Sequence, residues 1–314
     1  MIFHTSSWRR WWVPLKAMGR LACRAAAATI AGMSSPAEMP LRMSASIVVH
    51  NSSLAVLGRA LESLERAASL AIGQGGLVSM TVYLVDNASR AAYREALEEL
   101  LQGQVHTARY SLAYLPLGEN RGFGAGHNAA LAAADSDCHL VLNPDAELDV
   151  YALARALALF VENPDIVLLS PRVSGPDGRT EYLCKRYPSV LVLLLRGFAP
   201  DLLRRPFNAR LAHYEMREEL SAEVPCDVDI ASGCCMLVRT GALRSAGGFD
   251  ERYFLYFEDF DLSLRLALHG RLVFHPTVSI VHHGGYAARK GWRHVGFFVR
   301  SAARFFNQHG WRWW

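Results

Sequence analysis

From residue 45 to residue 170 the chain alternates short β-branched runs with stretches of helical periodicity. This alternation limits the fold more than any other feature of the sequence. Ser46–His50, Thr81–Val85, Ser111–Leu115, His139–Leu142 and Ile166–Ser170 read as strands. Between them, Leu57, Leu61, Leu64 and Ala68 share one helical face, and Arg90–Leu101, Asn128–Ala134 and Tyr151–Val161 read as further helices. Repetition at βαβ spacing predicts a mostly parallel central sheet with helices on both faces. Polar residues gather where the strands end, at His50, Asp86 and Asp145, and open α/β sheets bind ligands at that edge. After residue 170 the alternation weakens: Ser174–Arg179 is a turn, residues 184–224 are irregular, Asp229–Val238 is a strand, and Leu272–Phe274 and Val278–His282 are short strands.

A length of 314 residues, 51% of them hydrophobic, suits one well-cored domain, and a net charge of +4 is too small to argue for nucleic acid. The six cysteines are scattered and contain no CxxC, so neither a zinc ribbon nor a disulfide framework is indicated, and reduced thiols in the cytoplasm are expected. No apolar run reaches the roughly 18 residues of a membrane span. Residues 1–43 lack a clear period and read as a peripheral tail or an over-extended start, since Met33, Met39 and Met43 precede the first strand. Both ends are basic and aromatic. At the C-terminal end Arg300, Arg304 and Arg312 stand among Phe305, Phe306, Trp311, Trp313 and Trp314, which suits contact with the anionic inner face of a plasma membrane. The alternative for this segment, 301–314, is that its aromatics pack on the domain.

The stretch Gly247–Asp261 sets Asp250, Glu251, Glu258, Asp259 and Asp261 in a dense aromatic run. Carboxylates beside aromatics are costly unless paired, metal-bound or used in chemistry. Phe260, Leu264, Ala267 and Leu268 follow helical spacing and Gly270 ends it, so Glu258 and Asp259 start a helix. On these residues alone, capping and an ion pair between Asp261 and Arg265 would account for the acids.

Four segments line up with this helix: Ser46–Ser52, Val82–Ser89, Asn120–Asn128 and Leu140–Glu147, with Val281–Gly285 completing the set. Together, across residues 44–300, they resemble family 2 of the inverting glycosyltransferases, on the GT-A fold, and most of all its rhamnosyltransferase-like branch. The resemblance implies a nucleotide-sugar half at 44–170 and an acceptor half at 171–300. It implies that His50, Asn51, Asp86, Arg121, Gly122, Gly124, Asn128 and Asn143 border the nucleotide sugar. Asp86 would contact base or ribose, although it could equally cap the helix that follows, and Arg121 would lie near the diphosphate. The run Gly122–Gly126 fits neither a dinucleotide-binding fingerprint nor a P-loop, which argues against a dehydrogenase.

Asn143–Asp145 stands where the fold carries its DxD motif, with asparagine in place of the first acid. The resemblance implies Asp145 and His282 as ligands of Mg²⁺ or Mn²⁺, Glu147 as an outer partner, Asp259 as catalytic base and Glu258 as its support. Asp250 and Glu251 fall on the acceptor side. The expected activity is inverting transfer of a sugar, L-rhamnose from dTDP-L-rhamnose, to a saccharide or lipid-linked acceptor in bacterial surface polysaccharide synthesis. A UDP-hexose or UDP-galactofuranose transferase, or a non-catalytic nucleotide-sugar-binding module, are the alternatives. Peripheral membrane contact and a cytoplasmic location accompany this reading.

Overall fold

Strand β1 (Leu41–Val49) runs on both sides of the predicted Ser46 start, because its early polar residues are satisfied inside the protein. Ser44 and Ser46 are buried, and their hydroxyls lie 2.7 and 2.8 Å from the two ring nitrogens of His139. A serine at alternate positions disguises a buried strand as a polar stretch. The computed structural model describes residues 40–284 and 292–314, so the tail expected at 1–43 falls almost wholly outside the described residues.

The remaining elements follow in order: α1 (Leu54–Gly73), β2 (Leu77–Asp86), α2 (Ala91–Gln102), β3 (Tyr110–Pro116), α3 (Phe123–Ala133), β4 (Cys138–Leu142), β5 (Ala146–Leu148), α4 (Ala152–Glu162), β6 (Ile166–Ser174) and β7 (Thr180–Glu181). Then come α5 (Val190–Phe198), α6 (Asp201–Arg204), a 3₁₀ turn (Arg205–Phe207), α7 (Asn208–Tyr214), α8 (Arg217–Ser221), β8 (Cys226–Asp227), β9 (Cys235–Arg239), α9 (Thr240–Ser245), α10 (Glu258–Leu266), β10 (Arg271–His282) and α11 (Trp292–His309). The sheet order is β3-β2-β1-β4-β9-β6-β10-β5, with β7 on β6 and β8 on β10. The predicted parallel sheet occupies β3-β2-β1-β4. Beyond it β9 is antiparallel to both β4 and β6, while β10 returns parallel to β6.

Period-two alternation buries both faces. Leu140, Leu142 and Leu237 join α1 and α4 in one core, whereas Val141, Met236 and Val238 join α3, α9 and α10 in the other. The strands therefore carry apolar residues on both sides, as a sheet with helices on each face requires. Leu57, Leu61, Leu64 and Ala68 are fully buried, as their spacing predicted.

Four expectations need correction. Residues 184–224 are mostly helical; their short helices stand between β7 and β8, and their many arginines obscure the periodicity. The strand predicted from Asp229 begins only at Cys235, because residues 231–234 turn away to meet α10. Leu268 is 83% exposed, since α10 ends at Leu266 and its buried face is set by Leu262 and Leu266. The segment 301–314 is not a separate piece: α11 crosses residue 301, and Phe305 and Phe306 are buried against Tyr253 and Phe257.

Candidate active site

The edge formed by the ends of β1 and β2 is closed by its own residues. His50 Nδ1 lies 2.9 Å from the Asn87 carbonyl, and the Asn51 side chain accepts the Arg90 N–H at 3.0 Å. Asp86 is fully buried. Its Oδ2 accepts Arg94 Nε–H at 2.6 Å and the Tyr114 hydroxyl at 3.1 Å, while Oδ1 accepts Ser89 N–H at 2.8 Å. Burial opposes the charge, yet these bonds hold the Asp86 pKa below the usual carboxylate value. The carboxylate expected to face a base or ribose is thus enclosed, and its bond to Ser89 shapes the turn into α2. Asn87 reaches onward: its amide donates to the Gly122 carbonyl at 2.9 Å and accepts Arg121 N–H at 3.0 Å.

The glycine-rich run forms the start of α3, with Gly122 just before its first residue. Gly122 has φ 94° and ψ 177°, a conformation essentially reserved for glycine, and a Cβ there would lie 2.3 Å from the Phe254 carbonyl oxygen. Gly122→Ala is expected to lower stability by at least about 2 kcal/mol, from strain plus the clash, read as a lower urea midpoint with unchanged slope. Gly124 lies within the helix and admits the Phe249 ring, its hypothetical Cβ being 2.7 Å from the Phe249 Cβ. Asn128, expected beside the nucleotide sugar, bonds the loop that follows α9: its amide donates to the Phe249 carbonyl and accepts Phe249 N–H, both at 2.8 Å. It also donates to Glu251 at 3.0 Å, and Arg121 pairs with the other Glu251 oxygen at 2.5 Å. Residues assigned to opposite sides of the site therefore form one rim. Asp250 is taken up by Arg252, which binds both its oxygens and holds its pKa down.

Asp145 lies in the turn between β4 and β5. Its Oδ1 is buried without a hydrogen-bond partner and stands 3.5 Å from His282 Nε2. The other ring nitrogen of His282, Nδ1, is 2.8 Å from Glu181 Oε2, and the Cys234 thiol also hydrogen-bonds the ring. Burial works against the charged imidazole, but Asp145, Cys234 and Glu181 raise its pKa to about 11. Gly284 leaves room for the ring, because a Cβ there would come within 2.3 Å of His282 Cε1. His283 turns the other way, to Glu147 at 2.8 Å, which Arg59 also binds at 2.6 Å. Asn143 is anchored through its backbone N–H to the Cys234 carbonyl at 2.9 Å.

These residues fit a divalent ion. An orphaned carboxylate oxygen faces an imidazole nitrogen whose partner nitrogen is oriented by a second carboxylate, the usual outer support of a histidine ligand. Among the described residues no three His, Cys, Asp or Glu side chains form a metal cage. A diphosphate-bound Mg²⁺ or Mn²⁺ does not require one, since phosphate oxygens and water supply most of its ligands. Binding there would displace the His282 proton.

The acidic helix opens with strain. Tyr256 and Phe257 have φ values of 70° and 65°, in the left-handed region, where bulky residues cost on the order of 1–3 kcal/mol each. The aromatic cluster of Phe257 with Phe260, Phe298 and Phe305 holds this turn in place. Glu258 is 5% exposed, and its Oε2 has no partner. Asp259 Oδ2 accepts Gly233 N–H and Oδ1 accepts Phe260 N–H, each at 3.0 Å. Burial raises both pKa values, and the Asp259 charge pushes Glu258 further up. The pair accordingly keeps a proton on Glu258 and charge on Asp259, whose two N–H donors favour the ionised form. Asp261 takes the ordinary role foreseen for these acids, pairing with Arg265 at 2.6 Å, and also accepts from Gln308 and lies 2.8 Å from His309.

Sequence reasoning missed Glu181, Gly233 and Cys234. Glu181 has no local signal, being 101 residues from its partner. The Ser232-Gly233 pair is a turn signal that the apolar run around it obscured. The two positions matter jointly: Gly233 holds Asp259, and Cys234 touches both Asn143 and His282, so the acidic helix and the Asp145 cluster meet across one peptide bond.

Residues 44–246 match the model of glycosyl transferase family 2. The chain belongs to that family. It has the GT-A fold, with the acidic helix and His282 lying beyond the matched stretch. It is 31% identical over 251 residues to an N-acetylglucosaminyl-diphospho-decaprenol L-rhamnosyltransferase of Mycobacterium tuberculosis, covering 75% of this chain and 77% of that one. It is 27% identical over 206 residues to rhamnosyltransferase WbbL of Escherichia coli, covering 62% of this chain and 73% of that one. Among solved structures it resembles GalNAc-T7, crystallised with UDP, GalNAc and Mn²⁺, with a TM-score of 0.59 and 16% identity; the match covers 86% of this chain and 48% of that chain. The chain thus spans about half the length of that glycosyltransferase.

Proposed function

We propose that this family 2 glycosyltransferase is an inverting enzyme that moves L-rhamnose from dTDP-L-rhamnose to a lipid-linked saccharide in bacterial surface polysaccharide synthesis. The observation that carries the inverting mechanism is the Gly233–Cys234 link, which sets a carboxylate of raised pKa beside the Asp145–His282 cluster. Inversion takes one displacement. Asp259 accepts the proton of the acceptor hydroxyl while that oxygen bonds to the anomeric carbon, and the bond from that carbon to the donor phosphate breaks. The electron pair leaves on the nucleoside diphosphate. Asp145 and His282 would hold a divalent ion, which when bound neutralises charge on that leaving group. Glu258, carrying a proton, keeps the neighbourhood of Asp259 from gathering a second negative charge. The Arg121–Glu251–Asn128 rim orders the loop between donor and acceptor sides.

Donor and acceptor are taken from the names of the mycobacterial and E. coli relatives, which are rhamnosyltransferases. Peripheral contact with the inner face of the plasma membrane belongs to the same reading. Leu194, Phe198, Leu202 and Leu203 on α5 and α6, together with Trp311, Trp313 and Trp314, are exposed on segments joined by the Leu191 N–H to Trp313 carbonyl bond at 3.2 Å. Among the described residues no helix is long and apolar enough to cross a membrane.

The test is calorimetric binding of dTDP, UDP and NAD, each with and without Mn²⁺, followed by transfer assays with the preferred donor. Tight binding of dTDP only with metal is the expected result. Preference for UDP would move the enzyme to the UDP-hexose or UDP-galactofuranose branch. Binding without transfer to any sugar would leave a nucleotide-sugar-binding module.

A further inference from the structure

A cavity of about 390 Å³ opens between the start of α5, α7 and the C-terminal residues, lined among others by Arg186, Tyr187, Arg210, His213, Tyr214 and Arg312. Asp229 is the one acidic side chain among its lining residues, which also include Trp314, and it accepts Tyr187 N–H at 3.2 Å. Arg186 is held by Glu219 through one terminal nitrogen. Arg210 and Arg312 have no ion-pair partner among the described residues; the Arg312 guanidinium lies 4.7 Å over the Tyr187 ring. The cavity is therefore cationic.

Arg186 also carries an unmet donor: its Nε is buried without a hydrogen-bond partner. Native proteins leave few buried donors unpaired. A group with several oxygens and more than one negative charge matches two uncompensated guanidiniums beside a third. Arginine's fork suits phosphate in particular.

The cavity lies within reach of the base. Asp229 precedes Gly233, the residue that holds Asp259, by four positions, a reach of at most about 14 Å. Burial raises the Tyr214 pKa against the nearby Arg196, and the Asp259 charge raises it further, which places Tyr214 within the electrostatic range of Asp259.

We propose that this cavity is an oxyanion site for the phosphate or diphosphate of a phosphorylated acceptor. The assignment to an acceptor rests on the transferase reading; the oxyanion site itself does not.

Titration of the full chain with inorganic pyrophosphate, in EDTA and without donor, tests the site. Binding is expected, weakened about tenfold by Arg210→Ala or Arg312→Ala, and unaffected by Asp145→Ala. No binding would overturn the proposal. So would binding that Asp145→Ala abolishes while the arginine variants leave it intact, because the pyrophosphate would then occupy the donor's place. Unchanged metal-dependent dTDP binding certifies that each cavity variant is folded, and thermal unfolding does so for Asp145→Ala.

Transfer assays test the acceptor assignment. The arginine variants should raise KM about tenfold for a soluble diphosphate-linked sugar and leave KM unchanged for the same sugar as a neutral alkyl glycoside. Equal effects on both would overturn it. Phosphatidylglycerol vesicles distinguish a lipid headgroup: arginine-dependent vesicle binding with no pyrophosphate binding would assign the cavity to the membrane and overturn the acceptor role. If no sugar is transferred from any donor, the transferase reading fails, while the pyrophosphate titration still decides whether the site exists.

Discussion

Asp259→Asn is expected to lower the transfer rate by about 10²–10⁴ while leaving donor binding nearly unchanged, the loss typical of a missing general base. The substitution is nearly isosteric. The amide oxygen can still accept one of the two backbone N–H groups now bound to the carboxylate, so the turn at Gly233 need not collapse. What disappears is the basic oxygen. Single-turnover transfer and calorimetric donor binding separate the two effects, and a loss of donor binding would instead place Asp259 at the nucleotide. The pH profile gives a second check. A base must be deprotonated to act, and burial raises the Asp259 pKa. Wild-type transfer should therefore fall with decreasing pH through a value above that of an exposed aspartate. Stability has the opposite slope. The folded pair binds its proton more tightly than the unfolded chain, so ionising it costs stability as pH rises through the raised values. Asp259→Asn should be more stable than wild type above that window and lose the advantage below it, as measured by thermal unfolding across pH.

Asp145→Ala is expected to abolish the dependence of donor binding on Mn²⁺ and to weaken dTDP binding at least tenfold, to the level seen without metal. The reasoning starts from the buried Oδ1, which has no hydrogen-bond partner and lies 3.5 Å from His282 Nε2. Removing the carboxylate removes the one acidic oxygen directed there. Glu181→Gln should act in the same direction but more weakly, because Glu181 orients the ring through Nδ1 rather than through the ligating nitrogen. Calorimetric titration of dTDP with and without Mn²⁺ reads both variants. Unchanged metal dependence in Asp145→Ala would remove its ligand role.

The alternation of strands and helices was legible because each element is a local pattern. Short apolar runs marked β4 and the latter part of the Asp229–Val238 segment as strands, and the spacing of Leu57, Leu61, Leu64 and Ala68 marked the buried face of α1. Gly247–Asp261 stood out because carboxylates amid aromatics violate an energetic expectation that needs no partner to be recognised. The acids proposed for chemistry could not be separated from those with structural roles on the same ground. Asp261 pairs with Arg265, Gln308 and His309 at the bottom of the helix, whereas Glu258 and Asp259 keep raised pKa values at its top.

The glycine run shows the same division. Its spacing excluded a dinucleotide fingerprint, but that Gly122 and Gly124 make room for Phe254 and Phe249 depends on a segment more than a hundred positions further on. Asp86 carried a motif that pointed to a nucleotide, yet Arg94, Tyr114 and Ser89 surround it.

What the sequence by itself determined is the alternation of strands and helices up to β6 and the family to which its motifs belong. These rest on periodicity and residue type, which are written along the chain. Tertiary structure alone decided which side chains meet: Glu181 with His282, Gly233 with Asp259, Cys234 with Asn143, and Arg186, Arg210 and Arg312 around one cavity. The reason is physical. Burial, pKa shifts and hydrogen bonds are set by distance in space, and a chain that crosses its sheet ten times brings together residues whose sequence separation carries no trace of their contact.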